Sequence, residues 1–368
     1  MSRFRFAVAA AADDAQLRAR MAADWMQGRI AVSFRREPSF FAGCPLQGEQ
    51  VQTIVCVDRT TRKLIGLGTR ASSAAYVNGA PARVGYLADL RCDPEYRGGT
   101  LLARGYRFLR ELHERDPLPL YTTVIYDGNE PALNALCGAR AGLPEYRRFG
   151  RLRTPAIRLD RDRAPLACDG IAIMRAGPEL LPTLIAFLNA RHATRQFAPV
   201  VRPADLQGGR LSGLQAGDFL LAMRHDRIVG SIALWDQSAM RQTHVEQYGG
   251  LLGAVRPLFN LYAKLAGVRP LPSPGSRVPY LYLACFALED DDLDVGRTLL
   301  RAAYRAARGG PWHYAILGLH EGDPLAALLG EYPAIDAAGH LFVVHYGDGA
   351  DEFARLDGRV PYLEAGCL

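Results

Sequence analysis

No stretch of this 368-residue chain offers the ~18 consecutive apolar residues that a membrane span requires. No CxxC pair occurs among its seven cysteines (44, 56, 92, 137, 168, 285 and 367), and no HxH or HxxxH spacing among its eight histidines. The first absence argues for reduced thiols and a cytoplasmic setting, the second against a metal site. Lysine is nearly missing: only Lys63 and Lys264 stand among 44 basic residues, against 38 acidic ones, for a net charge of +6. Despite that surplus there is no uninterrupted basic run and no interleaving of basic with aromatic residues, so nucleic acid is disfavoured as a partner. Residues 1–12 loosely imitate a signal peptide, but the apolar stretch is short and runs into Asp13-Asp14, so a first strand is expected there.

The length suits two domains better than one core, and 49% hydrophobic with 22% charged residues is a globular composition. An internal repeat gives the organisation. Gly85-Tyr86-Leu87-Ala88 leads through a polar loop into Thr100-Leu101-Leu102-Ala103, as Tyr282-Leu283-Ala284 leads into Thr298-Leu299-Leu300-Arg301. Residues 124–133 and 316–325 both pass from an apolar run into an acidic-proline turn. Lys63-Leu64-Ile65-Gly66 and Arg227-Ile228-Val229-Gly230 follow strand candidates at 53–57 and 219–223. Each half is predicted to run strand, helix, two hairpin strands, fourth strand, helix, fifth strand, helix. Asp-Arg-Asp-Arg-Ala-Pro places the boundary near 160–168, giving domains 1–160 and 169–368. The second half carries a proline-rich insertion near 250–279, read as a helix over 251–266 broken by Pro257 and a loop at 269–275. A lid, an oligomer contact and an inert surface loop are all open for it.

The segment from Asp89 to Gly99 joins a strand to a helix through paired glycines. Such a turn points backbone N–H groups outward with the positive helix end behind them, which makes an anion site suited to pyrophosphate. Gly98 and Gly99 remove the Cβ atoms that would block approach, and Arg97 can pair with phosphate oxygens. Asp93-Pro94-Glu95-Tyr96-Arg97-Gly98 resembles the approach to the acyl-CoA motif of the GNAT acetyltransferase superfamily, Arg/Gln-x-x-Gly-x-Gly/Ala. Asn129-Glu130-Pro131-Ala132 resembles that superfamily's Asn-x-x-Ala segment. The resemblance covers residues 1–159 and, more faintly, 170–346.

It implies a mixed α/β (α+β) fold of two tandem GNAT-like domains, each a mostly antiparallel twisted sheet flanked by helices. It also implies acetyl-CoA as co-substrate, no metal, and direct acyl transfer to a small-molecule or peptide amine. Cofactor contacts fall on Leu90, Arg91, Cys92, Arg97, Gly98, Gly99, Thr100, Leu101, Leu102 and Asn129. The base is sought at Asp89, with Tyr86 and Glu49 behind it, although strand alternation puts Tyr86 and Asp89 on opposite faces unless a bulge intervenes. Thr100 and Leu102 replace the family's small residues, and no tyrosine follows Asn129 to protonate the leaving thiolate; Tyr126 and Tyr146 are the substitutes. In the second half the loop reads Glu289-Asp290-Asp291-Asp292, which would repel pyrophosphate. That half is expected to bind no cofactor and to offer a substrate wall from Arg191, His192, Arg195, Gln247 and Tyr248. A homodimer is compatible with the sequence. Two other readings stand beside the enzyme: a non-catalytic acyl-CoA-binding or scaffold protein, and a transferase drawing on aminoacyl-tRNA, which only the basic charge supports.

Overall fold

Two sheets of matching order carry the repeat. The computed structural model describes residues 2–138, 142–266 and 269–368. The first sheet runs Phe4–Val8, Gln50–Asp58, Lys63–Val77, Ala80–Cys92, Tyr121–Tyr126, Ala338–His345, Glu145–Arg153 and Leu319–His320. The second runs Ile171–Arg175, Phe219–Arg224, Arg227–Trp235, Tyr280–Leu288, Tyr314–Ile316, Ala156–Arg158 and Ala334–Ile335. In each, the pair formed by the fourth and fifth strands is parallel and the other recorded pairs are antiparallel. A parallel pair needs a crossover, and each crossover is a helix, Leu101–Arg115 or Leu293–Arg308.

The local reasons are those of the sequence. Leu101–Arg115 buries Tyr106, Leu109 and Leu112 at helical spacing. It stops where Pro117 follows Asp116, whose N–H closes the last turn onto the Leu112 and His113 carbonyls. Residues Tyr121–Tyr126, rich in β-branched and aromatic side chains, form the buried strand beside it.

The halves are interleaved rather than side by side. Ala338–His345 sits between two strands of the first half, pairing with Tyr121–Tyr126 and Glu145–Arg153. Ala156–Arg158 returns the exchange, pairing with Tyr314–Ile316 and Ala334–Ile335. A division of the chain near 160–168 therefore leaves each sheet holding a strand from across it. A third, three-stranded sheet ties the halves further: Gln242–Tyr248 pairs with Ile30–Arg35, which pairs with Trp25–Met26.

The insertion differs from its sequence reading. Leu251–Ala266 is one helix that continues through Pro257. A proline removes one hydrogen bond and clashes with the preceding turn. Here the helix is tied to the adjoining loop on both sides of it: Arg256 Nε donates to the Pro272 carbonyl at 3.0 Å, and Asn260 exchanges hydrogen bonds with the Leu271 backbone at 2.8 and 3.0 Å.

Candidate functional site

Ala80–Cys92 and Tyr121–Tyr126 pair in parallel only at Gly85–Tyr121 and Tyr86–Thr122, then part. Gly85 is required at the parting: a Cβ there would lie 2.0 Å from the Tyr121 ring. Beyond it the strand Ala80–Cys92 carries a bulge. Leu67 faces Arg91 and Thr69 faces Ala88, which leaves Asp89 and Leu90 opposite Gly68 alone. Asp89 takes φ +56°. A bulge turns the strand, and beyond the parting the residues from Leu90 to Cys92 have no ladder partner on the side of Tyr121–Tyr126.

The bulge also shifts the strand's alternation. Tyr86 and Asp89, on opposite faces of an ideal strand, enter one electrostatic neighbourhood with Arg36 and Arg241. Three donors converge on Asp89 Oδ2: Arg36 at 2.5 Å, Gln47 Nε2 at 2.9 Å and Thr69 Oγ1 at 3.1 Å. Burial opposes ionisation of Asp89, but Arg36, the Gln47 amide, Arg241 and Arg91 outweigh it and hold the carboxyl below the usual range. An anchored, ionised carboxylate suits holding an ammonium better than taking a proton from one. Glu49 lies elsewhere, accepting from the Ala74 N–H at 3.2 Å and from Arg202 at 3.1 Å. Burial pushes the Tyr86 phenol far up, so it stays neutral.

The tyrosines sort themselves by partner. Tyr146 shares a 2.5 Å hydrogen bond with Tyr106 and packs against the first-half core, which engages its hydroxyl within the core. Tyr126 ends the strand that parts, its ring stacked on Phe34 at 6.4 Å. Burial, then Tyr280, raises its pKa, and its hydroxyl has no hydrogen-bond partner among the described residues. Sequence reasoning missed Phe34, Gln47, Arg36, Tyr280 and Arg241; only folding brings these five scattered residues towards Asp89 and Tyr126.

The glycine loop opens beside the bulge. Asp93 caps the turn Pro94–Tyr96 through the Glu95 N–H and is held by Arg20 at 3.1 Å and Lys63 at 2.8 Å. Asp58 fixes the other side, accepting from Arg3 at 2.6 Å and the Tyr96 hydroxyl at 3.3 Å. Arg97 donates to the Cys92 carbonyl at 3.1 Å and pairs loosely with Asp24 at 3.5 Å, its side chain 58% exposed. Gly98 takes φ +84°, and a Cβ on Gly98 or Gly99 would meet nothing within 4 Å. Thr100 caps Leu101–Arg115 without a side-chain hydrogen bond, so the first-turn N–H groups face the open loop. Leu102 does not narrow the loop, because it packs against the core cluster of Tyr106 and Leu109. Asn129 caps Glu130–Leu136 through the Ala132 N–H at 3.3 Å. One feature fits an anionic ligand here, the uncapped helix end; the unpartnered Arg91 Nε is buried and its charge acts on Asp89 and Tyr126 instead. Cys92 has its thiol pushed up, first by burial, which removes the thiolate a nucleophile needs.

The second half repeats this geometry and fills it. Ser231 faces Ala287 and Ala233 faces Ala284, leaving Cys285 and Phe286 as the bulge, with Cys285 at φ +51°. There the Cys285 N–H donates to Glu364 at 2.7 Å, and the Tyr362 hydroxyl donates to the same carboxylate at 2.9 Å. At the loop, Asp292 caps Leu293–Arg308 by accepting from the Asp294 and Val295 N–H groups. Three of the five expected wall residues are committed: Arg195 pairs with Asp291 at 2.5 Å, Tyr248 donates to the Pro272 carbonyl at 2.8 Å, and His192 is buried. Buried His192, near 4 because burial disfavours its charge, lies 2.7 Å from the Pro199 carbonyl. Among the described residues no cluster of His, Cys, Asp or Glu could hold a metal ion, and no helix is long and apolar enough to cross a membrane.

No protein-family model matches the chain, and no curated protein sequence does. Solved structures do. Saccharomyces cerevisiae N-myristoyltransferase with bound myristoyl-CoA superposes with a TM-score of 0.64 over 99% of this chain and 86% of its own, at 10% identity. A GCN5-related N-acetyltransferase from Sphaerobacter thermophilus gives 0.54 over 93% of this chain and 96% of its own, at 12% identity. An Enterococcus faecalis protein described as a probable N-acyltransferase gives 0.50 over 93% and 72%, at 8% identity. At such identities the likeness is one of fold, and the fold is that of tandem GNAT proteins.

Proposed function

We propose that the chain is an acyl-CoA-dependent N-acyltransferase, with acetyl-CoA its simplest donor, in which the first half alone binds the cofactor. One observation carries the reading: an uncapped helix end behind Gly98 and Gly99 stands beside a bulged strand that parts from its neighbour. In this reading Arg97 and the N–H groups from Gly98 to Leu102 hold the pyrophosphate, while Asn129 and the backbone of Leu90, Arg91 and Cys92 edge the pantetheine and thioester. The thioester supplies an activated acyl group. Asp89 anchors the incoming ammonium, which gives one proton to water to become the free amine that attacks the thioester carbonyl. As the C–S bond breaks, Tyr126, neutral through burial, passes its proton to the departing thiolate and takes one from the nitrogen of the new amide. The acceptor, a small-molecule or peptide amine, enters past Phe34 and Tyr126, near Tyr280 and Tyr282.

Isothermal titration with coenzyme A and a thiol-release assay with acetyl-CoA and a panel of amines test the two steps separately. Binding in the micromolar-to-millimolar range with thiol release is expected; a folded sample that ignores coenzyme A overturns the reading. A non-catalytic acyl-CoA binder is the second reading, favoured by the three donors that occupy Asp89 Oδ2. It predicts binding with no thiol released by any amine.

A further inference from the structure

Fourteen large apolar side chains are exposed among the described residues, and eight of them fall on two adjoining segments. Six belong to the insertion helix Leu251–Ala266: Leu251, Val255, Leu258, Leu261, Tyr262 and Leu265. The other two, Trp25 and Met26, form the edge strand of the small sheet from which that helix springs. A hydrogen bond of 2.9 Å from the Gly249 N–H to the Arg29 carbonyl joins the tip of the hairpin to the helix start.

The helix residues at 251, 255, 258, 262 and 265 step by four and three, so they make one stripe. Leu251, Leu258 and Leu265 are 83%, 67% and 81% exposed. The opposite side is committed, with Ala263 buried and Arg256 and Asn260 bonded to the proline-rich loop. Polar hydrogen bonds thus seat the helix while its leucines face water.

The charge around this stripe has one sign. Between Glu246 and Glu289 the chain has no acidic residue; Lys264 is exposed on the helix and Arg269 and Arg277 follow it, while Arg256 is engaged with the loop on the seated side. Arg29 adds a cation at the hairpin tip. The acids that flank these segments in the chain are spent internally: Asp24 pairs with Arg20 and Arg97, and Glu246 with Arg35. A second copy of the chain would set this patch against itself, bringing like charges together across the leucines with no acid to offset them. An anionic bilayer meets both properties, offering acyl chains to the leucines and headgroup charge to the cations. Sixteen residues, about 24 Å of helix, are too few to span a bilayer of ~30 Å and suit lying in its plane.

We propose that the insertion helix and the Trp25–Met26 edge seat this protein on an anionic lipid surface, with the helix in the interfacial plane and Trp25 at headgroup depth. The full chain should co-sediment with vesicles of phosphatidylglycerol and phosphatidylcholine and bind pure phosphatidylcholine at least about tenfold more weakly. The variant L258E/L265E should lose about tenfold or more of the anionic-vesicle affinity, and Lys264→Glu about fivefold, with far-ultraviolet circular dichroism and melting temperature unchanged because all three side chains are exposed. The proposal is overturned by a wild type that ignores anionic vesicles or by an L258E/L265E variant that binds them equally. A wild-type dimer in sedimentation velocity that L258E/L265E dissolves, without vesicle binding, would assign the face to a second copy instead.

Discussion

The two bulged strands place the same backbone in two opposite chemical settings. In the first half, the helix after the bulge begins at Thr100 with no side-chain cap, and the main chain from Leu90 to Cys92 has no ladder partner on the side of Tyr121–Tyr126. In the second half, Asp292 occupies the helix end and Glu364 occupies the Cys285 amide. Under the proposed function the first half offers two places to negative or electron-rich ligand atoms, the helix end and the strand edge at the bulge. In the second half the corresponding backbone groups are taken by its own side chains, Asp292 and Glu364. The size pairing at the parting point is exchanged as well, Gly85 facing Tyr121 in one half and Leu281 facing Ala315 in the other.

The largest effect that can break this comparison is at Asp89. Asp89→Asn leaves Arg36, 4% exposed, without its carboxylate, and should cost about 3 kcal/mol of stability at neutral pH by denaturant titration. The pH dependence follows from the direction of the shift. Asp89 is depressed in the folded chain, so its contribution is complete above the ordinary aspartate value and is lost as pH falls through the lower folded value. The variant's deficit should shrink in that acid window; a deficit independent of pH would mean that packing, not charge, is what the substitution removes. Next comes the loop pair. Arg97→Glu should weaken coenzyme A about a hundredfold in calorimetry, whereas Arg297→Glu, whose arginine pairs with Asp294 and Glu331, should leave that affinity unchanged. Equal losses at both positions would show that the second half binds cofactor after all.

Glu364 gives a smaller and opposite test. Burial, its largest influence, raises its carboxyl despite the Cys285 and Gly366 N–H groups and the Tyr362 hydroxyl. A raised acid stabilises the fold below its unfolded value and loses that contribution as pH climbs through the folded one. Glu364→Gln keeps an acceptor for the Cys285 amide and should change stability by under about 1 kcal/mol near pH 4, while removing the decline towards neutrality. A wild-type stability that instead rises through that window would contradict the upward shift of this carboxyl.

Much of this was legible in the sequence, and the reasons are local. The repeat could be read because each strand-loop-helix unit keeps its apolar spacing, and the anion loop because Arg97, Gly98 and Gly99 act through backbone geometry that residue type dictates. The exchange of Ala338–His345 and Ala156–Arg158 between sheets was not legible: strand pairing is settled by tertiary contact, and either segment reads only as an apolar run. A bulge near Asp89 could be raised as an alternative but not placed, since one unpaired residue in a ladder leaves no periodic trace yet decides which side Asp89 shares with Tyr86. Glu49 failed as a neighbour because closeness to Asp89 in the chain's order of strands does not place it at the same end of the sheet; its partners are Ala74 and Arg202. Continuation of the helix through Pro257 depended on Arg256 and Asn260 finding the loop at Leu271 and Pro272, a contact that no spacing encodes.

The two loop glycines make the finest discrimination between the halves, because they separate a cost to the fold from a cost to the ligand. Gly98 stands at φ +84°, so Gly98→Ala strains the backbone by about 1 kcal/mol and should lower the melting temperature slightly along with coenzyme A affinity. Gly99 has no positive φ and open space where a Cβ would point, so Gly99→Ala should leave the melting temperature unchanged or raised. If a pyrophosphate lies against that backbone, the added methyl must still weaken coenzyme A, by about threefold to tenfold in calorimetry. Gly296, which the sequence repeat sets opposite Gly98, lies inside the helix Leu293–Arg308 and has no such freedom: a Cβ there would press on Leu288 at 2.6 Å and Leu328 at 3.0 Å. Its substitution should destabilise the fold and leave coenzyme A affinity alone. Affinity loss without thermal loss at Gly99, and thermal loss without affinity loss at Gly296, is the pattern that distinguishes a glycine kept for a ligand from one kept for packing.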